Sequence, residues 1–266
     1  MKHMLEIKIT RIDVPSGKAR KMTDFVAEEK PLQVFVNKDH YATIFCSPSD
    51  LKEMTVGHLF SEGMLKSVEE IQEIRLSADE STCRVKLKPD VNIEKRRALT
   101  RLSFRVIRSA CGSLSPYQFS ARPPKIKSAL RVHARMILES VNRLNSSAEV
   151  FRKTGGVHVA AIYDRDGDGK ALAEDVGRHN AVDKVIGAGA LNCVDFNMCF
   201  LALSGRLSGD IVFKAARVGL PIVASLAAAI DSGITVANGA SVTLVGFARG
   251  NRMNVYTFPE RILQAN

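Results

Sequence analysis

Across 266 residues the chain is 45% apolar and 25% charged, enough for one large domain or two ordinary ones, each with a globular core. No apolar run follows MKHMLEIKITRID and none later approaches the roughly 20 residues of a membrane span, so no membrane association is expected and the cytoplasm is the expected location. The 38 Lys and Arg against 28 acids give a formal charge of +10, which favours an anionic partner; with no Trp and four Tyr to stack on bases, nucleic acid is not the expected one.

After a polar N-terminus, LQVFV (32–36) and YATIFC (41–46) predict two strands joined by the turn NKDH. SPSD (47–50) reads as a helix start, with Ser47 as N-cap, Pro48 at the first helical position and Asp50 at the third. It leads into LKEMTVGHLFSEG and closes at Gly63. TCRVKLK (82–88) alternates like a strand with one wet face, and IEKRRALTRL (93–102) reads as a basic helix. Residues 1–108 are therefore expected to form an α+β domain.

SACGSLSPYQFSARPPKIKS (109–128), with three Pro and five Ser, predicts a loop and a domain boundary, and its only cysteine is Cys111. Residues 129–266 open on Leu130, Ala134, Ile137, Val141 and Leu144 at helical spacing. Strand-like runs then alternate with helical ones: GVHVAAIY (156–163), MCFLALS (198–204), PIVAS (221–225) and SVTLVGF (241–247). Strands apolar on both faces predict a layered α/β domain with helices covering the sheet, so the expected fold class is α/β together with α+β.

DRDGDGKALAED (164–175) fits calcium-loop positions 1, 3, 5, 6 and 12, but a strand precedes it and position 12 is Asp175 in place of Glu. Asp-Gly repeats are ordinary hairpin chemistry, so a surface turn is the favoured reading and no metal site is expected. GAGAL (187–191) lacks the third glycine of a dinucleotide loop and follows a helix, which points to helix packing. His158 precedes Glu174 as in metal-activated water chemistry, but no PCxxC run follows to supply thiolates; a packed strand histidine and an active one remain equally open. The five cysteines are odd in number and widely spaced, and Cys46, Cys83, Cys193 and Cys199 stand in strand-like or apolar settings expected to be inert.

AEDVGRHNAVDKVIGAGAL (173–191) crowds ionisable groups among core-forming residues. Asn180 reads as a helix N-cap with Asp183 at the third helical position, and Arg178 and His179 beside that N-terminus suit an anion. A ligand site and a structural salt-bridge cluster both fit the block. LSGRLSGD (203–210) and GFARGNR (246–252) repeat a strand end followed by Gly and Arg, so Arg206, Arg249 and Arg252 are expected to converge with Arg178 on a phosphate-bearing ligand.

EEKPLQVFVN, TIFCSPSDLKEMTVGHLFSEGM, SACGS, TGGVHVAAIY, EDVGRHNAVDKVIG, LSGRLS, LVGFAR and NVYTFPERI run in order from residue 28 to residue 262. Together they resemble the formate dehydrogenase accessory sulfurtransferases, the FdhD family. The resemblance implies a cytidine-deaminase-like fold for the C-terminal domain. It also implies a sulfurtransferase that passes persulfide sulfur from a cysteine desulfurase to the bis-guanylate molybdenum cofactor for formate dehydrogenase, with GDP as a surrogate for the cofactor's arms. Cys111 and Gly112 match the first two positions of the family's sulfur-carrying CGxCG loop, and Leu114 replaces its second cysteine. Phe247, Ala248, Arg249, Gly250, Asn251 and Arg252 match the cofactor-contacting stretch, with His158, Arg178, His179, Asp183 and Arg206 as further candidates. A thiolate between Arg108 and the later Arg122 and Lys125 suits sulfur transfer. A cofactor chaperone that moves no sulfur is the rival reading, and a homodimer is left open.

Overall fold

The structure is a computed structural model that describes residues 3–100, 105–108, 112–113 and 123–264, with backbone alone at 97–100, 105–108 and 112–113. The chain opens with two strands, β1 (Met4–Asp13) and β2 (Lys18–Ala27), paired along their whole length as a separate hairpin. This corrects the reading of the N-terminus as merely polar; Leu5, Ile7 and Ile9 alternate with polar residues, the period-two signal of a strand.

The first half then builds one sheet around one helix. β3 (Lys30–Val36) and β4 (Asp39–Cys46) form the expected hairpin, closed at Asn37 with φ 56°. The helix α1 (Leu51–Ser61) follows, then β5 (Ile71–Leu76), β6 (Thr82–Leu87), α2 (Ile93–Thr100), β7 (Arg105–Arg108) and β8 (Gly112–Ser113). The order is β5-β6-β3-β4-β7-β8, so the sheet continues into the stretch read as loop. Its core is Leu32, Val34 and Ile44 under Met54 and Leu59 of α1. Burial of such side chains stabilises the half by about 1.5–3 kcal/mol each.

The second half is a three-layer α/β unit. Short β9 (Val132–His133) leads into α3 (Ala134–Ser147) and α4 (Glu149–Thr154). Then come β10 (His158–Asp164), β11 (Gly169–Asp175), α5 (Arg178–Leu191), β12 (Cys199–Leu203), α6 (Gly209–Val218), β13 (Ile222–Ser225), α7 (Asp231–Ala240), β14 (Thr243–Arg249), β15 (Arg252–Thr257) and β16 (Ile262–Leu263). The main sheet runs β11-β10-β12-β13-β14-β15, and β12, β13 and β14 are parallel.

Alternation on β12 decides which helix lies on which face. Leu201 and Leu203 pack with Val182, Val185, Ile211 and Val212 of α5 and α6, while Phe200 and Ala202 pack with Ile137, Val141 and Leu144 of α3. A strand buried on both sides has no wet face, which is why CFLAL is continuously apolar. Asp164 to Asp168 is the turn of the β10–β11 hairpin, and Asp175 lies at the far end of β11, fully buried, so it is not available as a twelfth calcium-loop position. No described helix is long and apolar enough to cross a membrane.

Candidate functional site

Two helices join the halves. α1 and α5 touch through glycines: a Cβ on Gly57 would stand 1.7 Å from the Asp183 carbonyl oxygen, and one on Gly187 would stand 1.8 Å from that of Glu53. Only a residue without Cβ lets the two backbones approach so closely. GAGAL is thus the helix-packing element expected from the sequence.

Around this crossing, most of the ionisable block is engaged in holding structure together. Lys184 Nζ lies 2.8 Å from Asp175 Oδ2 and donates to the carbonyls of Ser47 and Glu174 and to Ser49 Oγ. Asp175 also accepts from the backbone N–H of Ser47 and Gly177 and from Asn180 Nδ2. Asn180 Nδ2 reaches the Phe45 carbonyl as well, at 2.8 Å. Glu174 accepts from the N–H groups of Val150 and Phe151 and so satisfies the open start of α4.

Asp183 sits at a second buried node. It accepts from Ser61 Oγ at 2.6 Å, from Lys214 Nζ at 2.8 and 2.9 Å, and from His58 Nδ1 at 3.1 Å. Burial alone would raise its pKa, but the Lys214 ammonium and His58 outweigh that and hold the carboxyl below the usual carboxylate range.

These contacts correct three local expectations. Ser47 is not a helix N-cap: its hydroxyl accepts from Val176 N–H and its backbone binds Asp175 and Lys184, while α1 starts at Leu51 with Asp50 as N-cap at φ 51°. Asn180 lies inside α5, whose N-cap is Gly177. Asp183 belongs to the seam between α1, α5 and α6, with all its acceptor sites turned to protein groups.

The remaining candidates gather at one edge of the second sheet. β12, β13 and β14 end there, antiparallel β10 and β15 begin there, and β11 ends there, so His158, Ser204, Ser225, Phe247 and Arg252 share that edge. α5, α6 and α7 follow β11, β12 and β13, so their N-termini face the same way. In open α/β sheets ligands collect outside the carboxyl ends of the strands, where such N-termini favour anions.

The turns at this edge are tied to one another. Ser225 Oγ donates to the Gly205 carbonyl and accepts from Ala227 N–H; Phe247 N–H donates to the Ala227 carbonyl. The Arg178 side chain lies over Gly205, where a Cβ would come within 3.0 Å of its own Cβ. His158 Nδ1 is 3.4 Å from Ser204 Oγ, which accepts from Val159 N–H. Burial and the Arg178 charge lower the His158 pKa against Asp175, with Arg206 adding to the fall, so the ring is neutral at pH 7.

His179 is buried, and neither ring nitrogen has a hydrogen-bond partner among the described residues. Burial, Arg178 and Lys214 push its pKa down to about 3, so it too is neutral.

A bulge in the β14–β15 pairing between Gly246 and Arg249 displaces Phe247 into the left-handed region at φ 51°, which costs a non-glycine residue on the order of 1–3 kcal/mol. The Arg249 guanidinium lies 5.3 Å from the Phe247 ring centroid. Gly250 at φ 59° and Asn251 make the turn that sets Arg249 opposite Arg252, both exposed. Ala248, by contrast, is fully buried in the α3 core and offers a ligand only its backbone. Cys111 and Leu114 lie outside the described residues. Cys193 departs from the inert setting expected for it: it is an exposed thiol after α5, at φ 54°, whereas Cys46, Cys83 and Cys199 are buried.

The model of the FdhD/NarQ family matches residues 27–263. The chain is 37% identical over 258 residues to the sulfur carrier protein FdhD of Sulfolobus acidocaldarius, covering 97% of this chain and 98% of that one. It is 33% identical over 252 residues to the sulfur carrier protein FdhD of Shouchella clausii, covering 93% of each. A crystal structure from Desulfotalea psychrophila, assigned as a formate dehydrogenase accessory protein, superposes with a TM-score of 0.77 at 28% identity, over 98% of this chain and 100% of that one.

Proposed function

This chain belongs to the FdhD/NarQ family, and from that premise we propose that it is a sulfur carrier serving formate dehydrogenase. It takes persulfide sulfur from a cysteine desulfurase and delivers it to the bis-guanylate molybdenum cofactor, its bound substrate. The observation that carries this reading is the gathering of His158, Arg178, Arg206, Arg249 and Arg252 at one sheet edge beneath three helix N-termini. Forked guanidinium groups and open N–H groups suit the phosphates of the cofactor's two nucleotide arms. Phe247 presents a ring beside Arg249, a surface on which a flat base stacks.

Cys111 is the sulfur-carrying thiol in this reading. Its thiolate attacks the outer sulfur of the desulfurase persulfide; the new S–S bond forms as the donor's own S–S bond breaks and the donor thiolate leaves, with no net oxidation. Arg108, before it, lies on β7 beside β4, and the end of β4 is bonded through Phe45 and Ser47 to Asn180 and Asp175. The backbone flank of the sulfur carrier thus runs toward the edge where the cofactor would bind.

The finer fold assignment is cytidine-deaminase-like, supported by the order β11-β10-β12-β13-β14 with β10 reversed and helices after β11, β12 and β13. The cytoplasm suits a carrier whose thiols stay reduced, and the four described cysteines are free.

The test is rescue of formate dehydrogenase activity in a strain lacking its own carrier. The wild-type chain restores activity and Cys111→Ser does not, although the variant protein folds and binds GDP. Full rescue by Cys111→Ser replaces this reading with a cofactor chaperone that moves no sulfur.

A further inference from the structure

We propose a second binding site, distinct from the sheet edge, that takes an organic anion with an apolar body. A cavity of about 930 Å³ opens where the two halves meet, at the far ends of α5 and α6. It falls within the range of small-molecule sites. Cys193, on its wall, follows Arg178 by 15 positions along and just past α5, roughly 20 Å from the sheet edge at 1.5 Å per residue.

The lining has two characters. Phe60, Leu65, Val194 and Phe196 supply an apolar wall. Lys66, Lys95, Arg96 and Arg217 supply cations against the acids Glu69 and Asp90. The two guanidinium groups are fixed parts of the wall. Arg96 forks onto Glu70 at 2.6 and 2.7 Å and donates to the Met64 carbonyl at 2.7 Å. Arg217 donates to the Ser61 carbonyl at 2.8 Å and lies over the Phe213 ring.

The ammonium groups of Lys66 and Lys95 differ, for neither forms a salt bridge among the described residues, although the Lys66 charge acts on Glu70. They are exposed, and no salt bridge among the described residues has to break for them to reach a ligand. Helix C-termini ordinarily repel anions, but here their carbonyls are turned back on the chain. Asn192, Cys193 and Val194 N–H groups bond to Ala188, Ala190 and Gly189, and Gly219 and Leu220 do the same for α6. Side-chain charge therefore sets the sign of the cavity, and with Glu70 cancelling Arg96 and Glu69 and Asp90 offsetting two more of the four cations, it is weakly positive.

The probe is 8-anilinonaphthalene-1-sulfonate, a sulfonate on an apolar ring system, titrated by fluorescence into the purified full-length chain. Lys66→Ala/Lys95→Ala is expected to weaken its binding tenfold or more. Both lysines are exposed, so the fold is unaffected, as circular dichroism will verify. Arg249→Ala/Arg252→Ala leaves the affinity unchanged. Bound probe also slows N-ethylmaleimide modification of Cys193, read on its own peptide by mass spectrometry, in wild-type protein but not in the lysine double variant. Unchanged probe affinity in the lysine variant, loss of binding in the arginine variant, or a Cys193 modification rate indifferent to the probe would each overturn the proposal. None of these results bears on sulfur transfer by Cys111.

Discussion

Lys184 and Asp175 form an ion pair at 2.8 Å with both side chains wholly buried, at the point where Ser47 of the first half meets α5 of the second. Removing one member of such a pair strands the other charge without water, which costs about 3–5 kcal/mol. Lys184→Met is therefore expected to lower the unfolding free energy by that amount, with a matching fall in the denaturation midpoint. Adding Asp175→Asn to it restores a large part, because the stranded charge is gone; chemical denaturation of the two variants measures the difference.

Asp183 gives the seam a sensitivity to acid. Its folded pKa lies below the unfolded reference of 3.8, so its stabilisation is complete above that value and is lost as pH falls toward the folded pKa. Stability is expected to fall steeply below about pH 4. Asp183→Asn is less stable at neutral pH, because Lys214 loses its counter-charge, and its stability depends less on pH in that acid range. A pH series of urea midpoints reads both effects.

The α1–α5 crossing tolerates no added methyl. In Gly57→Ala the new Cβ meets a backbone oxygen at 1.7 Å, so the helices must separate and the buried nodes on either side must stretch. The expected cost is at least the 1–3 kcal/mol of ordinary overpacking. Gly155→Ala, where nothing stands within 4 Å and only φ 62° is unfavourable, is the matched comparison and costs on the order of 1 kcal/mol. Equal melting temperatures for the two variants would contradict this account of the crossing.

Much of the second half was legible because its strands are short apolar runs buried on both faces and separated by helical spacing, as CFLAL and IVAS show. The Gly-Arg turns were legible too, since a strand end followed by Gly and Arg recurs in both LSGRLSGD and GFARGNR. The seam was not. Ser47-Pro48-Ser49-Asp50 has the local form of a helix start, yet Ser47 binds residues 128 and 129 positions away, and no local pattern encodes that. Long-range partners also decide the fate of Asn180 and Asp183, which short-range capping rules assigned to a helix start. Within one block, Asp175, Asn180, Asp183 and Lys184 hold the halves together while Arg178 lies over Gly205 at the sheet edge.

That division predicts opposite outcomes for neighbouring residues. Arg178→Ala is expected to weaken GDP binding with a nearly normal melting temperature, and Arg249→Ala/Arg252→Ala to weaken it tenfold or more, each charge-assisted contact contributing about 1.5–3 kcal/mol. Isothermal titration calorimetry with a melting curve on each variant measures both quantities. Retained GDP affinity in the arginine variants would move the nucleotide site away from this edge.

The most direct measurement is mass spectrometry of the Cys111 peptide after incubation of the chain with a cysteine desulfurase and L-cysteine. The account predicts one added sulfur atom on Cys111, removable by a thiol reductant, and none on the buried Cys46, Cys83 or Cys199. An unmodified Cys111 under conditions where formate dehydrogenase is activated would contradict it.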